Sequence, residues 1–352
     1  MGKQDVGDLE EIRKGVEVWM QARLPDRPGL RVGPLEFPTS SGESSITLLL
    51  AVNWPDGAEE RFALRMVPPK SQVFEEHDLP LQVQMMDIMR SEGIPVPPVL
   101  GYEADPSIVG SDFYVMRFVE GRVPPDNPPM TIAGWVKEDC TPEQRAALWR
   151  SGLETLAAIH RIDASKHDLS RLPCALEGEP LVAQELRKFD SMFSQDLRDS
   201  CEPEILEAWQ WLMANPPQDG TRRICWGDSR PGNVIFREDR PVAVIDWEMA
   251  NYADPRSDVS WWVWIDRCNS LGLGLDRLPG IPTPEEIYAQ WSKESGLSVE
   301  GIEWFELFTV ARYAIVLALK FKAFAESQPD PPKVENFAAR FLPELLEAAG
   351  AR

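Results

Sequence analysis

Residues 224–258 constrain this chain more than any other stretch. They run Ile-Cys-Trp-Gly-Asp-Ser-Arg-Pro-Gly-Asn-Val-Ile-Phe, pass through Val-Ala-Val-Ile-Asp-Trp-Glu, and end at Asp258. Asp228 and Asn233 stand five apart in a loop that also holds Gly227, Pro231 and Gly232. Two short apolar runs, 234–236 and 242–245, flank Arg237-Glu238-Asp239-Arg240-Pro241. That pattern predicts a β-hairpin. The loop then feeds one strand, and the partner strand returns Asp246 beside it. Two carboxylates and one amide converge at one end of the hairpin.

A single Asp in a loop is ordinarily a turn residue. The set is different, because phosphoryl transfer from ATP needs these groups together. One carboxylate orients or accepts the proton of the attacking hydroxyl. An amide oxygen and a second carboxylate suit Mg²⁺, a hard cation that takes oxygen ligands. Asp-x₄-Asn followed by Asp at the end of a hairpin is the layout of a kinase catalytic loop and metal loop.

The surrounding residues narrow this further. Trp-Gly-Asp-Ser-Arg-Pro-Gly-Asn, then Ile-Asp-Trp-Glu, then Asp254-Pro255-x-x-Asp258 resembles the aminoglycoside phosphotransferase family. The group related to the domain fused to some acyl-CoA dehydrogenases is the nearer likeness. The resemblance implies an α+β, bilobal, protein-kinase-like fold. A small antiparallel-sheet N-lobe would span 1–121, and a larger, mostly helical C-lobe 122–352, with ATP between them. It implies Asp228 and Arg230 as catalytic residues, and Asn233 and Asp246 as Mg²⁺ ligands. It also implies that Gly42, Ser44, Ser45 and Arg65 hold phosphates. Met116 would back the adenine, with the backbone of Arg117 and Val119 bonding its edge. Asp258 would hold the catalytic loop by accepting backbone N–H groups. Trp226 stands where the family usually has His, in a position that packs the loop.

The first lobe reads from the residues as follows. Residues 5–24 form an amphipathic helix with Leu9, Ile12, Val16 and Trp19 on one face, stopped by Pro25-Asp26-Arg27-Pro28-Gly29. Strands at 46–52 and 61–67 are joined by Trp54-Pro55-Asp56-Gly57. Before them lies a Ser/Gly cluster, the kind of loop that lays backbone N–H groups on phosphate. A helix at 75–92 carries Gln82 where kinase-like folds place a Glu to pair with the strand cation; Glu75 and Glu76 are alternative partners for Arg65. Residues 94–99 are an extended crossing, because X-Pro steps disfavour helix. A strand covers 113–119.

In the second lobe, residues 124–139 are irregular and rich in Pro. The resemblance places them near the cleft, as either a substrate lid or surface packing. Thr141-Pro142-Glu143-Gln144 and Thr283-Pro284-Glu285-Glu286 are helix-start boxes. His160 reads as a satisfied core residue, and Trp261, Trp262 and Trp264 as core packing. Residues 177–207 hold nine acidic and three basic residues, an acidic wall that suits a polyamine sugar or simply solvated helix faces. Helices at 302–326 and 334–348 close the chain.

Composition limits the partners. The chain has 57 acidic and 36 basic residues, a net charge of −21, which argues against nucleic acid or an anionic membrane. The scattered cysteines and three His argue against a structural zinc site and for free thiols in a cytoplasmic setting. The expected acceptor is a hydroxyl on a small molecule: an aminoglycoside by family name, or a hydroxyacyl-CoA by the nearer likeness. A nucleotide-binding pseudoenzyme with a scaffold role is the reading from a different class.

Overall fold

The computed structural model describes residues 7–38, 45–67, 78–330 and 334–351. The chain divides into two compact units, Met1–Glu120 and Gly121–Arg352.

The first unit is a curled sheet with two helices. Its elements are α1 (Leu9–Arg23), β1 (Arg31–Val32), β2 (Ile46–Asn53), β3 (Glu59–Met66), α2 (Leu79–Ser91), β4 (Val99–Glu103) and β5 (Phe113–Arg117). The strand order is β1-β2-β3-β5-β4, antiparallel at every pairing. In β2, Ile46, Leu48, Leu50 and Val52 alternate into the core, as the pleat of a half-buried strand requires. Ile12, Val16, Trp19 and Met20 of α1 belong to the same core cluster. The helix expected from residue 75 is described only from 79, where Asp78 caps it through Leu81 N–H at 2.8 Å and Pro80 sits in the first turn.

The second unit is mostly helical. It begins with α3 (Trp135–Glu138), α4 (Pro142–His160), α5 (Ala183–Met192), α6 (Gln195–Ser200) and α7 (Pro203–Ala214). A short strand β6 (Arg223–Cys225) precedes the hairpin β7 (Val234–Arg237) and β8 (Arg240–Val244), and β9 (Asn251–Ala253) returns to pair with β6. Then come α8 (Arg256–Cys268), α9 (Pro284–Ser295), α10 (Ile302–Glu326) and α11 (Leu342–Ala348). Both helix-start boxes at Thr141 and Thr283 form with reciprocal bonds.

The hairpin differs from expectation in its turn. Only Glu238-Asp239 separates the strands, and Pro241 lies inside β8 rather than in the turn. The register shifts between Ile235 and Phe236, and Pro, with no N–H to give, is tolerated at such an irregularity. The last helix also differs. It starts at Leu342 rather than 334, because Pro343 belongs in a first turn and breaks a helix anywhere later.

Helix α8 is the centre of this unit: 12 of its 13 residues are buried. A helix buried all round is normally apolar all round. This one carries Arg256, Asp258 and Asp266, and each has partners. Arg256 grips Asp254 at 2.8 Å, Asp266 pairs with Arg277 at 2.7 Å, and Asp258 serves the loop described next. No helix among the described residues is long and apolar enough to cross a membrane. All five cysteines are free thiols.

Candidate active site

The loop after β6 is held from below by α8. Asp258, wholly buried in the first turn of α8, accepts the backbone N–H of Trp226 at 2.7 Å and of Gly227 at 2.8 Å. Its carbonyl accepts the Ser229 hydroxyl at 2.7 Å. Asp258 therefore holds this loop through backbone N–H groups, as expected of it. His160 supports it in turn. Trp291 donates its indole N–H to His160 Nδ1 at 2.9 Å, so that nitrogen is the acceptor and Nε2–H donates to Asp258 at 3.0 Å. His160 is the satisfied core residue expected.

His160, Cys225 and Asp258 each offer a ligand atom within 4.8 Å of the others. They do not form a metal site. Both His nitrogens and both Asp oxygens are already committed. Burial pushes the Cys225 thiol well above its usual range, so it stays protonated.

Gly227 allows the loop to pass under the segment after the hairpin. Its φ is +87°, and a Cβ there would fall 2.1 Å from the Met249 carbonyl oxygen. Trp226 works from the same place. Its indole N–H donates to the carbonyls of Ile245 at 3.0 Å and Asp246 at 3.1 Å. Trp226 therefore packs the loop and also clamps the backbone that presents Asp246. Asp246 itself has φ +64°, a left-handed conformation that Asp tolerates better than most residues.

Asp228 faces three donors. Arg230 Nε lies 3.0 Å from both carboxylate oxygens. Trp261 Nε1 is 2.7 Å from Oδ1, and Asn233 Nδ2 is 2.6 Å from Oδ2. Burial works to raise the pKa of this carboxyl, but the Arg230 charge and these bonds outweigh it and hold it below the usual range. Asp228 is thus a fixed anion. Arg230, on the same grounds, is held firmly as a cation between Asp228 and Asp126.

Asn233 and Asp246 flank the paired strands at the open end of the hairpin. Asn233 closes a 3₁₀ turn, and its carbonyl accepts Ile245 N–H at 3.0 Å, one residue before Asp246. The Asn233 amide nitrogen is spent on Asp228, giving 2.9 Å to its carbonyl as well. Its Oδ1 is therefore the atom left for a cation. An amide oxygen and a carboxylate are the donor set of a hard divalent ion, so these residues fit Mg²⁺.

In the first unit, Arg65 is buried in β3, directly opposite Tyr114 of β5. The Tyr114 hydroxyl donates to Gln82 Oε1 at 3.1 Å. Tyr114 and Gln82 thus form a buried polar pair, Tyr114 standing across from Arg65 in the strand register, and Tyr114 was not foreseen. Ser45 is buried, and its hydroxyl has no hydrogen-bond partner among the described residues. Gly42, Ser44, Glu75 and Glu76 lie outside the described residues. The expectation for the Arg117 amide needs correction. That N–H already donates to Pro98 O at 2.8 Å, so any adenine contact of Arg117 is limited to its carbonyl. Met116 and Val119 are half-buried at the end of β5 and just beyond it.

In the acidic region 177–207, four of the nine acids are ion-paired among the described residues. Glu179 pairs with Arg187, Asp190 with Arg198, Glu185 with Arg312 and Asp196 with Lys322. These pairs take up part of that charge inside the unit.

Two contributors to the site escaped the sequence reading. Trp261 lies three residues after Asp258, one turn along α8. Same-face periodicity could have sent it toward the loop together with Asp258. Arg312, in the middle of α10 and fully buried, lies 4.1 Å over the Trp261 ring and bonds Glu185 at 3.0 Å and Ser257 O at 3.2 Å.

Comparison with known proteins gives a consistent picture. A model of the phosphotransferase enzyme family matches residues 50–288. Acyl-CoA dehydrogenase family member 11 of Gallus gallus is 30% identical over 334 residues, covering 88% of this chain and 40% of its own. The rat protein of that name is 28% identical over 273 residues, covering 75% of this chain and 33% of its own. The chain thus spans about a third of the length of such relatives. Among solved structures, a Ralstonia eutropha protein classed provisionally as an aminoglycoside phosphotransferase has TM-score 0.67 at 20% identity, covering 96% of each chain. Choline kinase from Streptococcus pneumoniae has TM-score 0.54 at 12% identity, covering 96% of this chain and 99% of its own. These likenesses show the fold to be the bilobal, kinase-like α+β fold expected.

Proposed function

The chain belongs to the phosphotransferase enzyme family, and from that premise we propose that it moves the γ-phosphoryl group of a nucleoside triphosphate to a hydroxyl of a small molecule. The observation that carries this is the Asp228 carboxylate, fixed by Arg230, Trp261 and Asn233 beside the hairpin end that presents Asp246.

In this reading the acceptor hydroxyl oxygen bonds to Pγ while the bond from Pγ to the β,γ-bridging oxygen breaks, and the nucleoside diphosphate leaves. Asp228 accepts a hydrogen bond from the hydroxyl and aligns it. Its lowered pKa suits orientation early in the transfer. The hydroxyl proton passes to this carboxylate, and from it to water, only as the new P–O bond forms. That is adequate, because the transition state is loose and asks little of a base. Arg230 places positive charge at the site. Asn233 Oδ1 and the Asp246 carboxylate are the residues that would hold Mg²⁺, which supplies charge neutralisation on the phosphates when bound. Positioning and fixed electrostatics account for most of the rate. In the first unit, Arg65 and the loop containing Gly42, Ser44 and Ser45 are proposed phosphate contacts. Met116, Val119 and the Arg117 carbonyl are proposed adenine contacts.

For the acceptor, the observations favour a hydroxyl on an acyl thioester over an aminoglycoside. The concave surface beside Arg230 is lined by Pro124, Pro125, Pro129, Met130 and Ile265, and its two acids, Asp126 and Asp266, are already ion-paired. A polycation needs unspent carboxylates, and an acyl chain does not. Relatives named for acyl-CoA dehydrogenases support the same reading. The aminoglycoside reading rests on likeness of fold.

The test is transfer of labelled γ-phosphate, from ATP and separately from GTP, to hydroxyacyl-CoAs, aminoglycosides, choline-like alcohols and sugars, with Asp228→Asn as the blank. Transfer to one class, lost in the variant, establishes the reaction and the class together. Nucleotide binding without transfer to any acceptor would favour a scaffold instead.

A further inference from the structure

Asp126 lies in the Pro-rich segment before α3, far in sequence from the catalytic loop, yet its carboxylate pairs with the guanidinium of Arg230. Arg230 is thereby shared: Nε faces both oxygens of Asp228 at 3.0 Å, and Nη1 faces Asp126. Among the described residues its Nη2 makes no hydrogen bond, so one edge of the guanidinium is left for a ligand.

The segment carrying Asp126 is fastened to the elements that carry the site. Arg122 exchanges two backbone bonds with Phe236 of β7, at 2.8 and 2.9 Å. Trp135 donates its indole N–H to Val123 O at 2.8 Å, and Thr131 donates to Asn269 O, just past α8, at 3.0 Å. Gly232 leaves the space in which the two side chains meet. A Cβ there would fall 2.6 Å from Asp126 Oδ1 and 2.7 Å from Arg230 Nη1.

We propose that Asp126 is a positioning residue for the transfer reaction. It fixes the Arg230 guanidinium so that the free edge points at the phosphoryl group in flight. An Arg side chain held at one carboxylate alone keeps rotational freedom about its long stem. Held at two carboxylates, the planar fork has one orientation, and the ordering is complete before substrate arrives. The proposal rests on the phosphotransferase reading.

Two measurements separate the proposal from that reading. The first needs no activity: the Arg230 Nε–H resonance, assigned by its loss in Arg230→Lys, should exchange with solvent faster in Asp126→Asn and in Asp126→Ala than in the parent protein. Unchanged exchange in both variants overturns the proposal. The second is a double-mutant cycle on transfer to whichever acceptor is found. Asp126→Asn should lower kcat about tenfold, with KM for nucleotide changed less than about twofold, since small misplacements of a fixed group are costly. In the Arg230→Gln background the same change should cost less than about twofold, because the two residues act as one unit. An equal loss in both backgrounds would show that Asp126 acts on substrate or structure directly, and would overturn the proposal. If the parent protein transfers phosphate to nothing, the enzymatic reading falls, and the proposed role in transfer falls with it. Nε–H exchange then still decides whether Asp126 fixes Arg230.

Discussion

Trp261 donates its indole N–H to Asp228 Oδ1 at 2.7 Å, so a residue of the most buried helix reads directly onto the proposed catalytic carboxylate. Trp261→Phe keeps a ring under the Arg312 guanidinium and deletes the donor. A hydrogen bond to a charged group is worth about 1.5–3 kcal/mol. Turnover should therefore fall by at least about tenfold, with nucleotide affinity held within about twofold. Steady-state kinetics beside calorimetric binding check this, and unchanged turnover would remove the indole from the site.

Asp258→Asn should destabilise the second unit without touching substrate. One oxygen of the buried carboxylate becomes an NH₂ that faces a backbone N–H or the His160 ring. Leaving a buried donor unpaired costs about 1–3 kcal/mol, more where a charged acceptor is lost. Urea unfolding measures the difference, and a midpoint equal to the parent's would show that the loop is held by other means.

Asp246→Asn keeps a residue type that accepts the left-handed conformation and removes the charge. It should fold like the parent, yet lose about 10- to 100-fold of the Mg²⁺-dependent part of nucleotide affinity, as a lost ligand or ligand support does. Titrations with and without Mg²⁺ decide it. A loss of equal size in both would point to a distorted loop rather than a missing ligand.

Glu185 should make stability depend on pH. Burial pushes its carboxyl up to about 7, with Arg312 opposing and Asp258 reinforcing the rise. Burial likewise lowers Arg312, so desolvation exceeds attraction on both sides of the pair. The folded pKa lies above the unfolded one. The folded state therefore keeps a proton that the unfolded state has released between about pH 4.5 and 7. The resulting stability is full below that window and is lost as pH rises through it. Over the window the change is on the order of 3 kcal/mol. Glu185→Gln should flatten this dependence in urea unfolding at pH 5 and pH 8; the same slope in both proteins would assign it to another group.

The grouping of the three candidate residues was legible because it is local. Asp228, Asn233 and Asp246 fall within one loop and one hairpin, and a two-residue period plus Gly and Pro fixes how such a segment folds. Asp258 was legible through the resemblance. What escaped reading is contact across long separations. Asp126 meets Arg230 over 104 residues and Arg312 meets Glu185 over 127, and no periodicity encodes either. The ion pairs within the acidic region 177–207 were hidden for a related reason. Composition counts charges but cannot see which are neutralised by a neighbour. Element ends strayed where Pro decided them, at Pro80, Pro241 and Pro343.

The bonds from Asp258 to Trp226 and Gly227 N–H have a thermodynamic consequence. A loop is usually the first part of a domain to melt, because its backbone is bonded to water. Here two consecutive peptide groups are bonded to a wholly buried side chain of the central helix. Opening the loop alone would strip a wholly buried carboxylate of two donors while leaving it in the core, at a cost comparable to disrupting α8 itself. Heating should therefore show no stage at which the second unit is folded and its catalytic loop is not: the site and the core would be lost in one cooperative step.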